Sequence, residues 1–252
     1  MNKQDALFEY LLRIADNALI LGHRISEWCG HGPTLETDIG MTNIALDYIG
    51  HARNLYQYAV EIEGKNRTED DLAYSRDTTA FKNLLLVEQP NEDFAYTIVR
   101  QFIFDSFNYH FFDALQSSSD ERLVGIAKKS IKEIAYHYRW SAEWIIRLGD
   151  GTTESHKKIQ EALDEMWMYS GECFNADAID NQLLEAGIGV DLAAVKSKFD
   201  TRVSDILKQA TLTLPTEEWM QEGGKQGNHT EHFGFILTEL QWMQRAYPDM
   251  EW

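Results

Sequence analysis

Two pairs of an acid and a histidine are the residues of this 252-residue sequence with the clearest potential for chemistry. Glu133 precedes His137 by four positions, and Asp47 precedes His51 by four. In a helix, residues four apart lie about 40° from each other, so both members of a pair can face one neighbour. Asp105 is a fifth candidate, because it interrupts an otherwise apolar helical row. Carboxylates and imidazoles that project into a helical bundle hold the metal in di-iron carboxylate proteins.

The spacing of these residues departs from that of a di-iron site. Such a site takes one carboxylate from each of two helices and a Glu-x-x-His motif from each of the other two. None of the eight histidines has an acid three positions before it. His51 and His137 fall within apolar rows, whereas Asp47 and Glu133 lie at the flanks of those rows. Together with Asp105 they predict a vestigial di-iron-like constellation, in which an acid–histidine hydrogen-bond network fills the space of a lost site.

This interpretation assigns no catalytic residue and no metal ligand. A buried acid must find a partner or become neutral, and imidazoles are suitable donors. A single ion such as zinc, held by the two inward histidines and Asp105, stays open as the alternative. The first helix is predicted to contribute nothing, because Glu9, Asp16 and Glu27 share a face roughly opposite its apolar row.

Helical periodicity dominates the elements that must position these residues. Apolar residues recur every three or four positions, which predicts four long helices, over 7–28, 41–62, 94–112 and 123–148. The long connection 64–91 lies where ferritin-like folds place their crossover. Shorter helices are predicted farther along, near 154–170, 176–186, 191–210 and 229–246. The pattern indicates an all-α, ferritin-like four-helix bundle with additional C-terminal helices.

The chain is predicted to form a single domain, 1–252, with a core bundle over about 5–149 and a C-terminal helical extension over about 152–252. Residues typical of helix ends mark the boundaries. Asn91 is the predicted N-cap of the third long helix, and Ser118, Ser119 and Asp120 are predicted to open the fourth.

The charge of the chain excludes several classes of partner. Lysine and arginine number 23 against 41 acids, a net charge of −18, whereas binding to nucleic acid or to an anionic membrane needs a basic surface. Cys29 and Cys173 form no CxxC motif, so a disulfide framework or zinc cluster is not expected, and two lone cysteines fit a reducing cytoplasm. Charged residues interrupt every apolar run near the N-terminus, so we expect neither a signal peptide nor a membrane span.

Three weaker candidates have structural alternatives. His229 and His232 could hold a metal, although they more simply open the last helix behind Asn228 as its N-cap. The glycine-rich stretch 223–227 could wrap a phosphate, but a flexible turn is the simpler interpretation. Aromatic residues on several sides of the fourth helix could meet a cofactor, although a core or an interface is favoured; these are Tyr136, Tyr138, Trp140 and Trp144.

Several long stretches resemble one family. They are SEWCGHGPTLETDI (26–39), LLLVEQPNEDFAYTIVRQ (84–101), IKEIAYHYRWSAEW (131–144), RLGDGT (147–152) and GGKQGNHTEHFG (223–234). Together they resemble the C subunit of bacterial phenylacetyl-CoA epoxidases, which are multicomponent ring-oxygenating systems. The resemblance implies a ferritin-like bundle and a role in aerobic phenylacetate catabolism. In that family the A subunit carries the di-iron centre, the C subunit pairs with it as a structural component, and a reductase supplies electrons from NADPH.

Two functions follow from the residues and the resemblance together. The first is a structural, non-catalytic subunit without a cofactor of its own, paired with the A subunit and brought into a homo-oligomer only through that complex. The second is a ferritin-like metalloenzyme with its own altered metal site. Tyr136 stands where the three-residue spacing after Glu133 would need histidine, which favours the first.

Overall fold

The computed structural model describes residues 1–216, 219–248 and 250, and within these ranges the chain forms helices and turns with no β-strand. The predicted all-α class is therefore confirmed. The described α-helices are α1 (Lys3–Ser26), α2 (Leu35–Glu63), α3 (Glu69–Tyr74), α4 (Leu85–Glu88), α5 (Phe94–Leu115), α6 (Glu121–Gly149), α7 (Thr153–Met166), α8 (Ala178–Glu185), α9 (Leu192–Gln209) and α10 (Glu231–Ala246). Across the same ranges, no helix is both long and apolar enough to span a bilayer.

The chain divides into two compact units. The first comprises Met1–Pro90 and Gly223–Trp252, and the second comprises Asn91–Glu222. The crossover connection and the C-terminal segment that begins at Gly223 thus belong to the first unit, and α5 to α9 belong to the second. The sequence instead suggested a core bundle followed by an extension. The single-domain organisation stays a prediction.

In the first unit, α1 and α2 pack along their lengths. Gly22 allows the close approach, because a side chain there would meet Ile49 at 3.1 Å and the carbonyl oxygen of Ala45 at 3.3 Å. α4 packs on α1, and α3 packs on α2. α10 contacts both short helices and the 3₁₀ turn Thr78–Ala80. As a result α1 is buried on almost all sides.

In the second unit, α5 is the central helix. α6, α7 and α9 all pack against it, and most of its residues are buried. Aromatic rings fill much of this core. Phe107 meets Phe174 edge to face at 5.6 Å, and Phe174 meets Phe199 of α9 at 4.9 Å.

Several helix ends differ from the prediction. Asp93, and not Asn91, is the N-cap of α5, where its carboxylate accepts from two backbone N–H groups. Asn91 instead accepts a hydrogen bond from Arg100 at 2.6 Å. Asp120, one of the three residues predicted to open the fourth long helix, is the N-cap of α6. Thr230, and not Asn228, occupies the N-cap position of α10. The first long helix was predicted to reach residue 28, but α1 ends at Ser26.

Candidate functional site

Asp105 lies fully buried in the middle of α5. One carboxylate oxygen accepts a hydrogen bond of 2.6 Å from the side-chain amide of Gln101. The other accepts one of 2.8 Å from the hydroxyl of Ser141 on α6. Both donors are neutral side chains, and the contact with Ser141 joins α5 to α6. The inward orientation of Asp105 agrees with its position in the apolar row.

The other two candidates of the second unit lie on α6. His137 is fully buried, and its ring meets that of Tyr136 edge to face at 6.3 Å. Glu133 is half-buried, one turn earlier on the flank of the helix. The structure thus places the histidine inward and the acid at the margin, as the periodicity of α6 indicated.

The remaining pair lies on α2 in the first unit. His51 is buried, and its ring meets the Tyr48 ring edge to face at 5.9 Å. Asp47 is half-buried. The five candidates are therefore divided between the two compact units, and the vestigial constellation stays a prediction. Among the described residues, no group of three or more histidine, cysteine or acid side chains is arranged to hold a metal ion.

The aromatic residues of α6 contribute mainly to packing. Trp144 meets Phe94 edge to face at 5.0 Å. Tyr138 is buried, and its hydroxyl accepts a hydrogen bond from Arg202 at 3.1 Å, while the guanidinium lies 4.8 Å from the ring centre. Tyr136 is 40% exposed.

An ion-pair network that sequence reasoning missed is centred on Asp16 of α1, which is fully buried. Arg76 donates to both carboxylate oxygens, the backbone N–H of Lys82 donates to one at 2.7 Å, and the hydroxyl of Tyr56 donates to the other. The guanidinium also lies 4.0 Å from the centre of the Phe81 ring. The expectation that α1 contributes an outward acid at this position is therefore wrong, because the segment between α3 and α4 covers that face.

Burial and charge act together in this network. Burial raises the pKa of the Tyr56 hydroxyl far above its ordinary value, and the neighbouring Asp16 charge raises it further. For Arg76, burial lowers the pKa of the guanidinium, but the Asp16 carboxylate outweighs this and raises the pKa overall. The arrangement favours a charged Arg76–Asp16 pair to which Tyr56 donates.

A second missed network is centred on Glu88 at the end of α4, also fully buried. One oxygen accepts from the backbone N–H and the hydroxyl of Thr230, at 2.6 and 2.7 Å. The other accepts from the side-chain amide of Asn83 at 2.8 Å and lies 2.7 Å from Nδ1 of His229. Arg24 of α1 donates twice to the backbone carbonyl of Glu88. Glu88 therefore fastens the start of the C-terminal segment to α1 and the crossover.

Both ring nitrogens of His229 are engaged. Nε2 donates to the carbonyl of Phe81 at 3.1 Å, because a carbonyl oxygen can only accept. Nδ1 faces Glu88, and the ring stacks on Phe233 at 4.1 Å. In this arrangement neither nitrogen is directed toward a metal shared with His232, which argues against the metal alternative for that pair.

Close packing explains the glycine-rich stretch 223–227. A side chain at Gly224 would meet the carbonyl oxygen of Asn83 at 2.1 Å, and one at Gly227 would meet that of Thr79 at 2.2 Å. Gly227 also has φ of +83°, a left-handed conformation that favours glycine. The stretch is an ordered turn pressed against the crossover, which gives its glycines a structural role.

Comparison with known proteins identifies the family. The family model described as phenylacetic acid catabolic protein matches residues 1–252. The chain is also 46% identical over 246 residues to the C subunit of the 1,2-phenylacetyl-CoA epoxidase of Escherichia coli strain K12, covering 98% of this chain and 99% of that protein.

The chain belongs to the phenylacetic acid catabolic protein family. The resemblance seen in the sequence is confirmed, and the ferritin-like fold class predicted from the helical pattern is that of the family. A di-iron centre is the metal group that this fold is built to hold. The donors of this family member do not fit it, because Glu-x-x-His is absent from the sequence, and Asp16 of α1 is already neutralised by Arg76.

Proposed function

We propose that this chain is a structural, non-catalytic subunit of a multicomponent phenylacetyl-CoA 1,2-epoxidase in aerobic phenylacetate catabolism. It pairs with the di-iron catalytic A subunit and stabilises it. Its likeness to the C subunit of such an epoxidase supports the assignment. In this proposal the complex is cytoplasmic, the chain has no cofactor of its own, and a reductase brings electrons from NADPH to the partner.

One observation carries the non-catalytic assignment. Asp16, Glu88 and Asp105 are fully buried, and in each case both carboxylate oxygens accept hydrogen bonds from protein donors. Asp16 accepts four such bonds, which fills the roughly four lone-pair sites of a carboxylate, so a metal ion there would displace a donor and leave it buried without an acceptor. An unsatisfied buried donor costs about 1–3 kcal/mol. The acids are thus used to hold helices together.

The chemistry of epoxidation supports the same division of roles. Activation of O₂ needs a redox metal or an organic cofactor, because side chains cannot carry out the one-electron steps. The residues of this chain instead hold a rigid helical framework. The Glu88 network fixes the C-terminal segment on α1 and the crossover, and the Asp105 network joins α5 to α6. A rigid framework positions a partner surface with little loss of entropy on binding.

Reconstitution from the purified proteins tests the proposal. With phenylacetyl-CoA, NADPH, the reductase and O₂, this chain alone should give no epoxide, and addition of the catalytic A subunit should give turnover. When both proteins are present at saturating concentration, Glu133→Gln should lower activity only as far as it weakens the complex. A loss of more than about a hundredfold in a folded, bound Glu133→Gln variant would place Glu133 in an active site, since single catalytic groups act on that scale.

Metal analysis addresses the second function. About two irons per chain, together with activity in the absence of a partner, would establish a metalloenzyme and overturn the structural role. A stoichiometric metal content that falls in a folded His137→Phe variant would point the same way.

A further inference from the structure

α2 carries an apolar row on its solvent-facing side. Leu35, Ile39 and Leu46 are 73%, 52% and 64% exposed. The row lies roughly opposite the buried residues of the same helix, which include Ile44 and Tyr48. Single exposed apolar residues are ordinary, but an aligned set indicates a contact surface.

The spacing of the row is that of a helix-packing seam. Leu35, Ile39, Thr42 and Leu46 follow one another at intervals of four, three and four. This 4-3 alternation lets the side chains of one helix interdigitate with those of another. At about 1.5 Å per residue the seam is about 17 Å long.

The backbone beside the seam is open to close approach. Gly50 lies one helical turn after Leu46, and a side chain added at Gly50 would meet no described atom within 4 Å. Gly22 of α1, in contrast, is filled closely by α2. The open glycine gives an incoming helix room to come near the α2 backbone.

Charge restricts what can occupy the seam. Over the length of the seam, from Leu35 to Leu46, the helix contains Glu36 and Asp38 but no lysine or arginine. Arg53, farther along the helix, is paired with Glu69 at 3.6 Å. A second copy of the chain would bring these acids against their equivalents, and the chain as a whole has a net charge of −18. Like charges at an interface are unfavourable, whereas opposite charges speed association and fix the register.

We infer that this α2 seam is the docking surface for a helix of the catalytic A subunit, one with an apolar row bordered by lysine and arginine. The inference rests on the proposed function and adds to it the surface and the chemistry of the contact. Leucine and isoleucine of the seam supply the buried apolar area, and the flanking acids pair with the basic border of the partner helix.

A substitution in the seam tests the inference, with binding to the purified A subunit measured by titration calorimetry. Leu46→Lys removes an exposed apolar side chain of the seam and adds a cation opposite a basic border. We expect the dissociation constant to rise at least about tenfold, since like charges brought together at an interface are strongly unfavourable. Glu36→Lys should slow association and reduce its dependence on salt concentration.

Leu184→Lys is the matched control. Leu184 is also exposed, at 40%, but lies on α8 in the second unit. This variant should bind within about twofold of the wild-type chain. If Leu46→Lys fails to fold, Leu46→Ser keeps the measurement available, because it removes the apolar side chain without adding charge.

The outcomes separate the inference from the function it rests on. Wild-type affinity in a folded Leu46→Lys or Leu46→Ser variant would overturn the docking surface and leave the structural role intact. Failure of the wild-type chain itself to bind would overturn the structural role, and the docking surface with it. If the wild-type chain instead forms a dimer that Leu46→Lys dissociates, while binding to the A subunit is unchanged, the seam belongs to a second copy and the inference is wrong.

Discussion

Removal of the Asp16 carboxylate should destabilise the first unit strongly. In Asp16→Leu, the Arg76 guanidinium would stay buried, with its side chain only 6% exposed, after losing its counter-charge. The hydroxyl of Tyr56 and the backbone N–H of Lys82 would lose their acceptor in the same step. Breaking a buried ion pair by deleting one partner costs about 3–5 kcal/mol. For a chain of this size we expect the melting temperature to fall by about 10 °C.

A double-mutant cycle separates the charge effect from the loss of packing. Arg76→Met, which keeps much of the apolar stem, should also be destabilising alone, because it leaves the buried Asp16 carboxyl without its cationic partner. The double variant Asp16→Leu with Arg76→Met removes both charges. Replacing a buried pair by apolar residues is often close to neutral, so the double variant should cost at least about 2 kcal/mol less than the sum of the single ones.

Unfolding in guanidinium chloride, followed by circular dichroism and by hydrogen exchange of the first unit, provides the free energies of unfolding of these variants. The exposed pair Lys196–Asp200, at 2.6 Å on α9 with side chains 52% and 49% exposed, is the control. Alanine variants of that pair should show coupling of only about 0.5 kcal/mol or less. If Asp16→Leu costs less than about 1 kcal/mol, or the Asp16 and Arg76 variants are additive, the buried network does not hold this part of the fold.

Three further outcomes are expected. Asp105→Leu should lower the unfolding free energy by about 1–3 kcal/mol, because it leaves the Gln101 amide without its acceptor, and should leave the metal content measured by mass spectrometry unchanged. His229→Leu should increase hydrogen exchange in the segment that follows it, since the contacts of the ring with Glu88 and with the Phe81 carbonyl are then lost; unchanged exchange there would show that the Thr230 contacts suffice. Burial lowers the pKa of His23 to about 4 from its usual 6.5, so the folded state binds fewer protons and the unfolding free energy falls as pH drops from about 6.5 to about 4. His23→Leu should remove this component, of up to about 3 kcal/mol, from a pH series of denaturation curves.

The sequence by itself determined the helices and much of their orientation. Apolar periodicity located the ends of the long helices within four residues, except for α2, which begins at Leu35 and not at 41. It also placed His51, Asp105 and His137 inward, where the structure buries them. These features are local, because the period of a helix relates each side chain to its neighbours on the same face. The missing Glu-x-x-His spacing was also readable without coordinates.

Only the tertiary structure decided what the polar residues of the first unit do. Asp16 lies on the side of α1 opposite its apolar row, which in a sequence indicates solvent, yet the segment before α4 covers that side and Arg76 neutralises the acid. Glu88 and His229 are 141 positions apart and meet only after the C-terminal segment folds onto the crossover. The cap of α5 was likewise misplaced, because Asn91 is engaged by Arg100. Periodicity shows which face of a helix is apolar, but the segment that covers its other face is set by contacts distant in sequence.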